Sequence, residues 1–273
     1  MRPIVWKKQG RISDLQNGPM WRSRMAGMVS VLPLGGGRYR MFLTGEGDES
    51  AQDPSGRWLR QIGWVDLNED FEVVDVNPDN PVLRPGRGGC FDCLGLCMPD
   101  VVRVSENLLY MYYVGWGPGS DAWFDNRCGL AISRDNGRSW RRWSEAPLPL
   151  VDDEDPVGIG TVFVMRKEPG YWRLWYTSFR NLERRADATW EHYYHIKYAE
   201  SEDGIHWQKP RDNVALDFES EDELAVARPT VVVEPGGYRM WFCRRTEDTP
   251  YRIGYAESDD GRKWERKPAG IEP

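Results

Sequence analysis

The stretch YRIGYAESDDGRKW, residues 251–264, reads as a strand, a tight turn and an aromatic residue on the return. Ile253, Tyr255 and Glu257 alternate with Gly254, Ala256 and Ser258 in the period of two that a strand requires. In the turn, Asp260 can accept hydrogen bonds from nearby backbone amides, Gly261 tolerates positive φ, and Trp264 packs the returning strand onto its neighbour. The same stretch recurs as YHIKYAESEDGIHW (194–207) and, more loosely, as RCGLAISRDNGRSW (127–140) and RQIGWVDLNEDF (60–71). SRDNGRSW fits the Asp-box pattern Ser-x-Asp-x-Gly-x-x-Trp, and the other two turns are one residue shorter. This motif is expected to join the third and outermost strands of a repeated sheet; it is a structural element.

An aromatic strand precedes each copy: RYRMFLTGEG from Arg38, LLYMYYVGW from Leu108, YWRLWYTSF from Tyr171 and YRMWFCRR from Tyr238. Ahead of each lies a run rich in β-branched residues, GMVSVLPL, PDVVRV, TVFVM and PTVVVE, whose nearly continuous apolar character predicts strands buried on both faces. Four antiparallel strands repeated around an axis make a β-propeller, and no stretch has helical periodicity. The chain is therefore expected to be all-β, a single propeller domain over residues 1–273, with a β-sandwich as the competing architecture. VWKKQGRI near the N-terminus resembles KWERKPAGI near the C-terminus, as if Trp6 and Trp264 served one role and the first strand completed the last blade.

The net charge of −7 argues against a nucleic-acid partner, because neutralising phosphates takes a basic face. No run approaches a membrane span and the N-terminus has no apolar signal region, so no membrane association and a cytoplasmic location are expected. Five cysteines, an odd number, fit a reducing compartment. Cys90, Cys93 and Cys97 crowd into CFDCLGLC without a fourth ligand, and the three histidines have no metal-binding spacing, so neither metal nor cofactor is expected. Buried thiols in a tight loop are the simpler reading of that cluster.

MPDVVRVSENLLYMYYVGW (98–116), EDPVGIGTVFV (154–164), YAESEDGIHW (198–207), ARPTVVVEPGGYRMWF (227–242) and IGYAESDDGRKWERKPAGI (253–271) together resemble the five-bladed β-propeller glycoside hydrolases. That superfamily includes family 43, related furanosidases and glycoside phosphorylases. The chain is more closely similar to a group of small bacterial glycosidase-like proteins often encoded among sugar-biosynthesis genes. The resemblance implies a five-bladed type with four complete repeats visible and the fifth reduced or missing. It also implies a carbohydrate substrate bound over the central axis, beside the starts of the first strands.

Aligning the first strands at Pro99, Val162 and Pro229 places Asp92, Asp155 and Asp222 each seven residues upstream, with Glu154 and Glu223 adjacent. Glycosidic cleavage needs one carboxylic acid to protonate the leaving oxygen and a carboxylate to activate water or attack directly. The resemblance implies Asp92 as base, Asp155 as the carboxylate that tunes the acid or orients substrate, and Glu223 as acid; solvated loop carboxylates are the competing reading. On this assignment Asp92→Asn and Glu223→Gln are expected to abolish turnover with little change in melting temperature. Arg22 and Arg24 precede the first repeat, Arg228 stands in the fourth and Arg244 ends its aromatic strand; their forked guanidinium groups suit an anionic sugar, or else the carboxylates just named. Trp116 and Tyr176 are expected at strand ends, placed to stack on a sugar ring or to pack between blades, and His195 stands near a blade insertion as a further ligand-binding candidate. The expected function is a glycoside hydrolase or phosphorylase. The alternatives are an inert propeller that binds a carbohydrate or another metabolite, and a biosynthetic enzyme of non-hydrolytic chemistry.

Overall fold

The computed structural model describes residues 15, 20–47, 52–53, 56–119, 125–154 and 156–268. Trp6, VWKKQGRI and Asp155 lie outside these residues. The chain divides into two compact units, one ending at Leu148 and the other beginning at Pro149.

The N-terminal unit opens with a 3-10 turn, Met20–Arg22, and holds two four-stranded antiparallel sheets in simple sequence order. The first comprises β1 (Met25–Gly35), β2 (Arg38–Glu46), β3 (Gln61–Leu67) and β4 (Val73–Val76); the second comprises β5 (Leu96–Arg103), β6 (Leu109–Gly117), β7 (Asp125–Ser133) and β8 (Arg141–Arg142). The C-terminal unit repeats the pattern. In its first half, β9 (Gly158–Glu168), β10 (Tyr171–Arg184), β11 (Trp190–Ser201) and β12 (Val214–Leu216) pair in order, and in its second β13 (Glu223–Glu234), β14 (Gly237–Thr246), β15 (Arg252–Ser258) and β16 (Glu265–Lys267) do the same. A single parallel bridge, Tyr194 to Ala225, joins the halves. The four groups coincide with the four sequence repeats, and the chain is all-β, built of four-stranded antiparallel blades in a propeller-like manner. No helix among the described residues is long and apolar enough to cross a membrane.

Each unit has its own core. Phe42, Ile62 and Trp64 of the first blade pack against Leu96, Val101, Met111 and Tyr113 of the second, while Trp175, Ile196 and Tyr198 of the third pack with Val226, Met240 and Phe242 of the fourth. The aromatic strands β2, β6 and β10 are buried through long unbroken stretches, and β3 is buried at every residue. The β-branched strands are not buried on both faces as their composition suggests: Val29 and Val31 of β1 and Val232 and Val233 of β13 are exposed. An apolar run reports composition, whereas burial depends on a strand's place in the sheet, and β1 and β13 each pair along their length with one neighbour only.

The repeated turn has the expected chemistry. Gly137, Gly204 and Gly261 amides donate to Ser133, Ser201 and Ser258 Oγ at 2.8, 2.9 and 2.8 Å. Asp135, Asp203 and Asp260 Oδ1 accept from the amides of Ser139, Ile205 and Arg262 at 2.9, 2.8 and 2.7 Å. Burial alone raises these carboxyls, but the converging hydrogen bonds outweigh it and hold all three below the usual carboxylate range.

Each first strand also carries a bulge. Pairing shifts between Gly27 and Ser30, Cys97 and Asp100, Ile159 and Val162, and Ala227 and Thr230. Met28, Met98 and Arg228 sit there with φ of 53°, 54° and 54°, a region that non-glycine residues enter only under constraint. The constraint comes from the preceding blade: the Met98 amide donates to Thr44 Oγ1 (3.0 Å) and the Arg228 amide to Thr177 Oγ1 (3.2 Å).

Candidate functional site

Asp92 lies in the turn ahead of β5 and is 0% exposed. Its Oδ2 accepts from Tyr113 Oη (3.0 Å) and Arg142 Nε (2.7 Å), while Oδ1 is buried without a hydrogen-bond partner, against Gly86, where a Cβ would stand 2.2 Å away. Arg142 also donates to the Arg84 carbonyl. Burial and then the Asp92 charge push the Tyr113 phenol upward. Burial works against the Arg142 charge, yet Tyr113 and Asp92 outweigh it and its pKa rises.

Glu223 opens β13 and is 2% exposed. Arg266 of β16 grips it with Nη1 to Oε1 and Nη2 to Oε2, both 2.8 Å, and the Glu219 amide also donates to Oε2 at 2.8 Å. The third blade has a counterpart in Asp152, whose carboxylate lies 3.2 Å from the buried Lys197 and 3.5 Å from Lys209. Arg142, Lys209 and Arg266 each stand two residues after the turn tryptophan, Trp140, Trp207 and Trp264. A W-x-[Arg/Lys] pattern in the outer segment thus clamps the carboxylate that leads into the first strand of the same blade. The cation is the missing half of the carboxylate pattern, and its spacing from the tryptophan is the signal for it. In the third blade the clamped residue is Asp152.

The burial of Asp92 and Glu223 changes what is expected of their variants. Taking one partner from a buried ion pair strands the other, so Asp92→Asn and Glu223→Gln are each expected to lower the melting temperature.

At the same end of the N-terminal unit, Arg24 and Arg60 share Glu46 at 3.8 and 3.5 Å, and their guanidinium groups lie over Trp58 and Trp116 at 4.9 and 4.5 Å from the ring centroids. Trp116 stands next to the last residue of β6, and its carbonyl accepts from the Leu94 amide in the turn that carries Asp92. Arg22 is buried in the turn before β1. The N-terminal unit therefore gathers Arg22, Arg24, Asp92 and Trp116 at one end of its strands.

In the C-terminal unit Tyr176 lies within β10, fully buried, with its oxygen accepting from Asn213 Nδ2 at 3.4 Å. It does not end its strand, because β10 continues to Arg184, and a sealed ring has no face for a sugar. Asp222 is exposed and its carbonyl accepts from the Glu247 amide. Arg244 lies 3.8 Å from Glu219 and lines a cavity of about 380 Å3 with Phe242, Tyr255, Arg266 and Lys267. Arg228 is exposed on its bulge. His195 is buried, with Nδ1 3.1 Å from Asp217 Oδ1. That hydrogen bond is the largest influence on Asp217 and takes it down to about 2.

The Asp217 shift predicts an acid response. A carboxyl lowered from 3.8 to about 2 contributes stability that is fully present above its unfolded value and lost as pH falls through the folded one. Asp217→Asn is therefore expected to flatten melting temperature against pH between these limits. The Asp217 side chain is 48% exposed, so the change is modest, and an identical slope in the variant would refute the assignment.

Cys90, Cys93, Cys97, Cys128 and Cys243 are all free thiols. Among the described residues no group of three or more His, Cys, Asp or Glu is arranged to hold a metal ion.

No protein-family model matches the chain. Among solved structures it is similar to a member of the GH130 family of mannoside phosphorylases, which contains glycoside hydrolases that target β-1,2 mannosidic linkages in Candida mannan, with a TM-score of 0.65 and 16% identity over 90% of this chain and 71% of that one. It is also similar to a glycosyl hydrolase from Bacteroides ovatus, with a TM-score of 0.63 and 15% identity over 90% and 71%. A third is the β-1,2-mannobiose phosphorylase from Listeria innocua, with a TM-score of 0.61 and 13% identity over 88% and 74%. At such identities the likeness establishes a shared fold, that of propeller-fold glycoside hydrolases and phosphorylases. In sequence the chain is 34% identical to uncharacterized protein Rv1502 of Mycobacterium tuberculosis (strain ATCC 25618 / H37Rv), covering 98% of this chain and 85% of that protein. Uncharacterized protein MT1551 of strain CDC 1551 / Oshkosh matches with the same identity and coverage. The chain belongs to the same family as these mycobacterial proteins.

Proposed function

We propose that the chain is a glycosidase-like enzyme that cleaves, by water or by phosphate, a glycosidic bond of a small sugar, and that residues 1–273 form one propeller of the five-bladed type with its fifth blade reduced. The observation that carries the reading is the state of Asp92. One carboxylate oxygen is anchored by Tyr113 and Arg142 and the other has no donor, as expected of a base fixed in direction with an oxygen left for a proton. Substrate reaches Oδ1 only when the turn at Gly86 moves aside. Asp155 and Glu223 are the proposed partners in proton transfer. Glu223 must first release a donor, because Arg266 and Glu219 occupy both of its oxygens. Arg24, Trp116, Asp222, Arg228, Arg244 and His195 are proposed to help hold the substrate.

The clamps support a second reading. A carboxylate gripped in the same manner in three blades serves the blade, and a propeller whose carboxylates are all so occupied binds a sugar without turning it over.

The deciding experiment incubates the protein with aryl glycosides and β-1,2-linked mannosides, with and without inorganic phosphate, and identifies products by mass spectrometry. Release of sugar or sugar phosphate, reduced roughly 10²- to 10⁴-fold by Asp92→Asn, supports the enzyme. Because Asp92→Asn also weakens the fold, rates are taken well below the melting temperatures of both proteins. Binding without any product establishes the second reading.

A further inference from the structure

Arg22 closes the 3-10 turn ahead of β1, and its position is set by the residue before it. The Trp21 ring covers Gly45 and Gly63, where a Cβ at either position would come within 2.5 Å of it. The turn is thereby pinned to the sheet, and Arg22 is 5% exposed.

Four arginines are buried among the described residues. Arg40 pairs with both oxygens of Asp66, Arg239 with Glu234, and Arg173 donates to Tyr171 Oη and the Asp260 carbonyl. Arg22 differs from all of them. Its Nε and Nη1 are buried with no hydrogen-bond partner among the described residues, none of whose carboxylates acts on its charge; burial pushes its pKa down. A buried guanidinium without a counter-charge costs several kcal/mol, which a fold avoids by pairing or neutralising the group.

Gln61 shares this state. It is fully buried, its Oε1 accepts from Arg84 Nη1 at 3.0 Å, and its Nε2 has no acceptor. Gln61 stands opposite Gly45 in the β2–β3 pairing and two residues before Gly63, so its side chain leaves the sheet on the face that Trp21 covers. Nearby, Arg24 and Arg60 share the one carboxylate of Glu46. Among the described residues here, Arg22, Arg24 and Arg60 face the single carboxylate of Glu46, in a protein of net charge −7.

We infer that Arg22 and Gln61 are the donor side of a seat for an oxyanion, a carboxylate or phosphate that accompanies the sugar ligand. The inference rests on the sugar-binding reading above and adds the chemical class of the ligand. A guanidinium fork and a carboxamide N–H match two oxygens of one such group, and the ligand supplies the charge that the fold withholds.

The test measures melting temperature in a zwitterionic buffer free of oxyanions, with glucose, glucuronic acid, glucose 1-phosphate or inorganic phosphate added. The expected result is stabilisation by the anions and not by glucose. A shift with inorganic phosphate alone identifies a free phosphate as occupant, and one that requires an acidic sugar identifies a substituent of the sugar. Arg22→Met is expected to melt higher than the wild type without anion, because it removes an uncompensated charge, and to lose the response to anions. Arg22→Lys keeps the charge but not the fork and is expected to bind roughly 10- to 100-fold more weakly. A lower melting temperature for Arg22→Met, an unchanged anion response in that variant, or no anion response in the wild type overturns the inference. Turnover fails or survives independently: anion stabilisation without products refutes the enzyme alone, and products without anion stabilisation refute the seat alone.

Discussion

Trp175→Ala is expected to lower the unfolding free energy by about 4–5 kcal/mol, near the upper end for truncating a buried aromatic. The ring is 0% exposed at the centre of β10, with Tyr198 at 5.5 Å, Phe163 at 6.2 Å and Trp264 edge-on at 6.2 Å. Its Nε1 donates to the Gly261 carbonyl at 2.8 Å, tying the third blade to the turn of the fourth. Deleting it opens a cavity between blades and leaves that carbonyl without its donor. At roughly 2–4 °C per kcal/mol, the melting temperature should fall by about 10 °C or more. Trp175→Phe keeps most of the area and loses the bond, so it should cost only about 1–3 kcal/mol. A loss below about 2 kcal/mol in the alanine variant, measured by urea unfolding, would show that the interface collapses around the gap.

Arg266→Met is expected to cost about 3–5 kcal/mol, because it leaves the buried Glu223 carboxyl without its bidentate partner. Adding Glu223→Gln should recover most of that loss, since the pair then disappears as a unit. The coupling in the double-mutant cycle is therefore expected to be large and of rescuing sign. Additive losses would mean that the clamp contributes through the packing of Arg266 over Phe242, 5.2 Å from the ring centroid, and not through charge.

Much of the architecture is legible in the sequence because it is local. The alternation at 253–258 and the Ser, Asp, Gly and Trp of the turn are satisfied within a few residues, so sequence spacing alone defines the hairpin. The bulges leave a weaker signal: Pro99 and Pro229 cannot donate to a sheet ladder, and each follows a residue at positive φ. The clamps are half legible. Asp92 and Glu223 stand out as carboxylates in register, but their partners lie 50 and 43 residues away, where only the path of the chain around a blade brings them back. Composition misleads about burial wherever it stands in for position, as with Val29 and Val31 of β1 and with Tyr176. Arg22 stands out for its charge; that no described residue answers the charge is a fact of three dimensions.

The clamps bear on how such a chain can change length. Each ion pair is closed inside one blade, so a duplicated segment carries its own counter-charge and a deleted segment takes both charges with it. With respect to its clamp each blade is self-contained, much as stacked repeats are energetically near-independent apart from their neighbours. Gain or loss of a whole blade then breaks no clamp, and the charges it must resettle are those of pairs that cross between blades, such as Arg245 with Glu191 and Arg262 with Glu200.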